Sequence, residues 1–120
     1  MATLKTTLTL SSNDAMSDVL SISVSDTLTV TNPIELSRKS IATGSAQAVI
    51  ASNSAFSYVY LKVISSTNDA AWLQVLLGGH AKLKIRVGEF AFLPLYNAQA
   101  ITAEAQTAAC VVEYGYWSIA

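Results

Sequence analysis

The sequence predicts an all-β protein: an antiparallel β-sandwich of about eight short strands with Greek-key connections, of the jelly-roll type. Two observations carry this. In HAKLKIRVGEFAFLPL, residues 80–95, Leu83, Ile85 and Val87 alternate with Lys82, Lys84 and Arg86, and a period of two sends successive side chains to opposite faces of a sheet. Short alternating or β-branched runs then recur along the chain with turn residues between them, whereas no long segment repeats its apolar residues at helical spacing. An immunoglobulin-like sandwich is the alternative, but its Cys…Trp…Cys framework is absent.

Each element follows from the same reasoning. Residues 3–10, TLKTTLTL, place Leu4, Leu8 and Leu10 at even spacing with a Thr-rich opposite face, and Ser11 to Asp14 are turn chemistry. Leu20, Ile22 and Val24 alternate with Ser21, Ser23 and Ser25; Leu28 and Val30 continue the pattern after Asp26, and Asn32-Pro33 closes it, as one bent strand or a tight pair. Residues 34–54 are the least patterned, with a Gly44-Ser45 turn and a strand at 47–50. Residues 58–64, YVYLKVI, have the β-branched and aromatic composition that strands favour. A polar loop at 65–69 leads to a strand at 71–77 that ends at Gly78-Gly79. Strands at 82–87 and 90–93 join at Gly88, Pro94 marks an end of pairing or an edge, and strands at 101–105 and 110–119 complete a single domain over residues 1–120.

Composition narrows the function. Charged residues are 12% of the chain, hydrophobic residues 52%, and the net charge is −1. A surface so poor in charge has little electrostatic protection against association, which points to a surface occupied by copies of the chain or by partners. One cysteine excludes an intramolecular disulfide scaffold. Nucleic-acid binding calls for a basic footprint that is missing. No apolar run approaches the roughly 20 residues of a membrane helix. The opening MATLKTT lacks the apolar core of a signal peptide, so synthesis in the cytoplasm is expected, with any export by a route such as lysis.

No catalytic or metal-binding signature stands out. His80, the single histidine, follows two glycines and reads as a surface residue. Cys110 opens an apolar strand and reads as a small buried hydrophobe. Asp14, Asp18, Asp26 and Glu35 lack the regular ligand spacing of a calcium loop; Asn13-Asp14 and Asn68-Asp69 read as Asx turns, with a cation bridging the two loops as the alternative. Glu35 and Glu113 form a glycosidase pair only in the sense that any two acids would. No cofactor is expected. Candidate contact residues are sharper. Lys82, Lys84 and Arg86 share one strand face, as a solvated surface or a docking stripe for an acidic neighbour. Tyr58 and Tyr60 share a face, and Tyr114 and Tyr116 repeat the arrangement, with Trp117 next; tyrosine and tryptophan are the residues enriched at interfaces.

The motifs YVYLKVISSTNDA, KIRVGEFAFLPL with its Gly-Glu-Phe turn and proline stop, and VVEYGYW all fall in the segment from Tyr58 onward, about half the chain. In this half the sequence resembles small virion structural proteins of tailed phages, the capsid decoration (cement) proteins and tail-associated jelly-rolls. The resemblance implies a non-enzymatic head protein, a homotrimer that clamps subunits of the major capsid protein. Lys82, Lys84 and Arg86 are then expected to dock, and Tyr114, Tyr116 and Trp117 to pack. A tail or fibre component that binds a host glycan is the alternative. A cupin-type enzyme is poorly served by one histidine.

Overall fold

The computed structural model describes residues 2–31, 36–50, 57–95 and 100–118. All strand pairs are antiparallel, and the chain divides into two compact units, one holding the first two strands and the other the rest. Asn32-Pro33, Glu35 and Ile119, which the sequence reading invoked, lie outside the described residues.

The first unit is a two-stranded ribbon. Strand β1 (Ala2–Ser12) and strand β2 (Leu20–Val30) pair without a break from Ala2↔Val30 to Ser12↔Leu20. Residues directly opposite in an antiparallel pair share a face. The pairs Leu4↔Leu28, Leu8↔Val24 and Leu10↔Ile22 therefore line one side, and Thr3, Lys5, Thr7 and Thr9 with their Ser/Thr partners line the other. The loop between them is started by Ser12, whose Oγ accepts the amides of Asp14 and Ala15 at 3.3 and 3.0 Å. Residues 20–30 are thus one strand, and they pair with β1 rather than with the sheets of the sandwich.

The second unit is that sandwich. Its strands are β3 (Ser37–Ile41), β4 (Gln47–Ile50), β5 (Tyr58–Ser66), β6 (Trp72–Leu77), β7 (His80–Arg86), β8 (Phe90–Pro94), β9 (Ile101–Gln106) and β10 (Cys110–Trp117). One sheet has the order β3-β10-β5-β8 and the other β4-β9-β6-β7. The pairings β3 with β10, β4 with β9, β5 with β8 and β6 with β7 are nested, as though one long hairpin had been rolled over on itself.

The inward faces explain the fold. Ile41, Val59, Leu61, Val63, Leu73, Val75, Ile101 and Val112 have essentially no exposure and form one core drawn from both sheets. Each such side chain contributes about 1.5–3 kcal/mol on burial. Ala103 and Ala105 of β9 are equally buried. No polar or charged residue is buried among the described residues, so the core is apolar.

Turn chemistry sets the connections. Gly78 and Gly79, at φ of 60° and 86°, make the two-residue turn that joins Leu77 to its partner His80, because a tight hairpin of this kind requires positive φ at both positions. Gly88, at φ of 87°, turns the chain from β7 in one sheet to β8 in the other; its amide donates to the Val63 carbonyl at 2.8 Å, which fastens the crossing to β5. Pro94 ends β8 at a sheet edge, where its missing N–H breaks no ladder. Strand β3 has no counterpart in the sequence reading. It is an edge strand, and of SRKSI only Ile41 is buried.

Candidate functional site

Two outward faces of the sandwich carry the chemistry. On the second sheet, Leu83, Ile85 and Val87 turn inward and Lys82, Lys84 and Arg86 are exposed, as the alternation requires. Strand β7 is the edge of its sheet, so the three cations lie where charge blunts pairing with another chain. Lys84 Nζ sits 4.4 Å from the centroid of the Trp72 ring on β6, a cation–π contact that contributes about 0.5–1 kcal/mol at an exposed position. Arg86 is held at the turn: its amide donates to Glu89 Oε1 at 2.7 Å, and its guanidinium lies 3.7 Å from the same carboxylate. Beside them an open hollow of about 420 Å³ is lined by Lys84, Ile85, Gly88, Glu89 and Phe90.

On the first sheet the aromatic residues separate. Tyr114 and Tyr116 pair with Leu61 and Val59 and pack against the core. Trp117 pairs with Tyr58 and faces the opposite way. The large outward rings are therefore Trp117, Tyr58, Tyr60 and Phe92, with Phe90 62% exposed at the edge. Tyr58 and Phe92 are stacked at 5.9 Å with their planes 12° apart, and Phe92 and Trp117 meet at 6.3 Å and 44°. Phe90 and Phe92 were absent from the sequence candidates. Their signal was present, because they alternate with Ala91 and Leu93, which pack on the core.

A polar cluster adjoins these rings. Tyr60 Oη donates to Glu113 Oε1 at 3.1 Å, and Arg38 Nε donates to Glu113 Oε2 at 3.2 Å. The Arg38 side chain is 64% exposed, so the ion pair is worth at most about 1 kcal/mol. Burial, reinforced by the neighbouring Glu113 carboxylate, pushes the Tyr60 phenol above its ordinary value, and Arg38 partly opposes this. Both carboxylate oxygens of Glu113 are thus engaged, one by Tyr60 and one by Arg38.

The remaining candidates fall into structural places. His80 is exposed at the start of β7. Cys110 is a free, fully buried thiol, and burial pushes its pKa up, with a smaller opposing effect from Ser66. Nucleophilic thiols need the opposite shift. Asn68 Oδ1 accepts the Ala70 amide at 2.8 Å, an Asx turn. Asp14 Oδ1 accepts from Ser12 Oγ at 3.0 Å. Among the described residues, no three His, Cys, Asp or Glu side chains gather in one place.

No family model, curated protein or solved structure matches the chain.

Proposed function

We propose that this chain is a non-enzymatic structural protein of a tailed-phage particle, a decoration protein that sits on the head as a homotrimer and braces subunits of the major capsid protein. The nested strand pairing in two four-stranded sheets supports a jelly-roll reading, a fold that viral capsid proteins share with lectins and cupins. The observation that carries the reading is the ribbon: a chain with 12% charged residues leaves Leu8, Leu10, Ile22 and Val24 in solvent. Surfaces of that kind mark sites of association. Bracing would act by mass action, since a ligand that binds only the assembled shell stabilises it. Lys82, with Lys84 and Arg86 beside it, is suited to an acidic neighbour, and Trp117 with Tyr58 and Phe92 to an apolar one.

The test is particle composition. Mass spectrometry of particles purified by density gradient is expected to find the chain at a fixed copy number relative to the major capsid protein. Its recovery only in the soluble fraction of the lysate would refute the proposal. The aromatic face also bears on glycan binding, because Tyr60, which shares that face with Trp117, donates to Glu113, the partner of Arg38. Tyr58 and Phe92, however, already turn their ring faces to each other, which favours the decoration reading. Retention on a glycan array that Trp117→Ala abolishes would reverse that preference.

A further inference from the structure

The edges of the sandwich carry a charge pattern that the fold itself does not use. Strands β3, β4, β7 and β8 are the outermost strands of the two sheets. Five of the seven lysines and arginines stand on them, Arg38 and Lys39 on β3 and Lys82, Lys84 and Arg86 on β7. None of the four strands holds an aspartate or glutamate. Glu104 and Glu113 sit instead on the inner strands β9 and β10. Cations on an edge discourage pairing with a like edge. The same charges favour a strand of opposite sign.

The backbone of β7 shows where such a strand fits. Its ladder with β6 keeps one register from Leu83 to Arg86 and shifts at Lys82, which has no opposite residue. The Arg86 amide is turned away from β6 and donates to Glu89 Oε1 at 2.7 Å, while the Arg86 carbonyl accepts the Glu89 amide at 2.9 Å. Residues two apart on a strand turn their backbone groups the same way. The amide and carbonyl of Lys84 therefore face the open edge. Glu89 also lies 3.7 Å from the Arg86 guanidinium. One carboxylate thus already stands at the end of this edge. It accepts from a β7 amide as a neighbouring strand would, and it faces a cation as an acidic side chain would.

A strand laid along β7 shares the alternation of the sheet. Every second side chain lies beside Lys84 and Arg86, where an acid is favoured. The others lie on the side of Leu83 and Ile85, which pack on the core. There the hollow of about 420 Å³, with Ile85, Gly88 and Phe90 in its lining, takes an apolar group.

We infer that β7 is a docking edge for a short extended segment of another protein, added as a fifth strand beside Lys84. In that segment aspartate or glutamate alternates with valine, isoleucine or leucine. This rests on the docking role given to the three cations above and names the chemistry of their partner. The sandwich edges of a second copy bring no carboxylate, so the segment belongs to a different chain.

The experiment is fluorescence anisotropy of a labelled short peptide alternating glutamate and valine, titrated with the full chain. Saturable binding that weakens with added salt is expected, and none by the lysine–valine counterpart. Methylating the backbone amides of one alternate set of peptide residues is expected to abolish binding. Methylating the other set is expected to leave it, because only one set faces β7. Lys84→Glu is expected to weaken binding at least about tenfold, whereas Lys5→Glu, the same charge change on the ribbon, leaves it unchanged. If Lys84→Glu loses the circular dichroism of the wild type, Lys84→Gln replaces it, with the same direction expected. No binding of the unmodified peptide overturns the inference. Equal binding of the two methylated peptides also overturns it, by showing docking through charge alone, and so does binding that the Lys84 variant leaves intact. Particle composition decides the virion reading separately: a chain present in particles that ignores the peptide sinks this inference and leaves that reading standing.

Discussion

Thr107 stands in the left-handed region at φ of 77°, in the exposed turn between β9 and β10. A β-branched residue there is strained, because its Cβ crowds the following carbonyl. Glycine has no such clash, though it loses more freedom on folding. Thr107→Gly is accordingly expected to stabilise the protein by about 1 kcal/mol, read as a higher urea midpoint at an unchanged slope. Protonation supplies a second expectation at this scale. Burial raises both the Cys110 thiol and the Tyr60 phenol. The native state thus holds these protons more tightly than the unfolded chain does. Their contribution to stability is complete below the unfolded values, about 8.5 for cysteine and 10 for tyrosine, and is lost as pH rises through the native ones. Urea midpoints between pH 7 and 11 are expected to hold level and then fall in two steps. Cys110→Ala removes the lower step and Tyr60→Phe the upper; a wild-type midpoint that stays level throughout would contradict the assignment.

At the level of the element, the outer face of the first sheet depends on Gly115. A Cβ added there would lie 2.9 Å from Leu36 Cδ2 and 3.2 Å from the Trp117 indole. The indole therefore lies over the bare glycine backbone, and Leu36, itself exposed, closes the other side. The Leu36 methyl swings away readily, whereas the indole has Phe92 beyond it. Gly115→Ala is expected within about 0.5 kcal/mol of wild type, and Gly115→Val is expected to lose about 1–3 kcal/mol by overpacking. Chemical denaturation of both variants checks this; a neutral valine variant would mean that the rings are not in contact. The same strand shows what sequence reading reached. The alternation of β10 was legible, and so, on β7, was the sorting of Lys82, Lys84 and Arg86 from Leu83, Ile85 and Val87. Which face of β10 met the core was not. Tyr114, Tyr116 and Trp117 are all large and amphipathic, and small Gly115 gave no hydrophobic signal for the outward side. Strand β3 was missed for a related reason: an edge strand with one buried residue has no period to detect.

For the molecule as a whole, local pattern revealed the strands and could not reveal their partners. The sequence reading placed residues 3–10 and 20–30 in one sandwich with the rest because their alternation is the same as that of a sandwich strand. What separates them is pairing over distance, and every nested pairing of the sandwich except that of β6 with β7 joins strands far apart in the chain. Such topologies form slowly, since loop closure precedes the contacts that compensate it. The nesting has a consequence for synthesis. Within the sandwich β3 has one neighbour, β10, and β4 has one neighbour, β9; β10 also fills the gap beside β5, and β9 the gap beside β6. Of the sandwich strands, the last two to leave the ribosome therefore sit in the middles of the two sheets. Until they emerge, the nascent chain holds two open slots rather than a half-finished sheet, and the earliest strands of the sandwich wait, unpaired, for the latest.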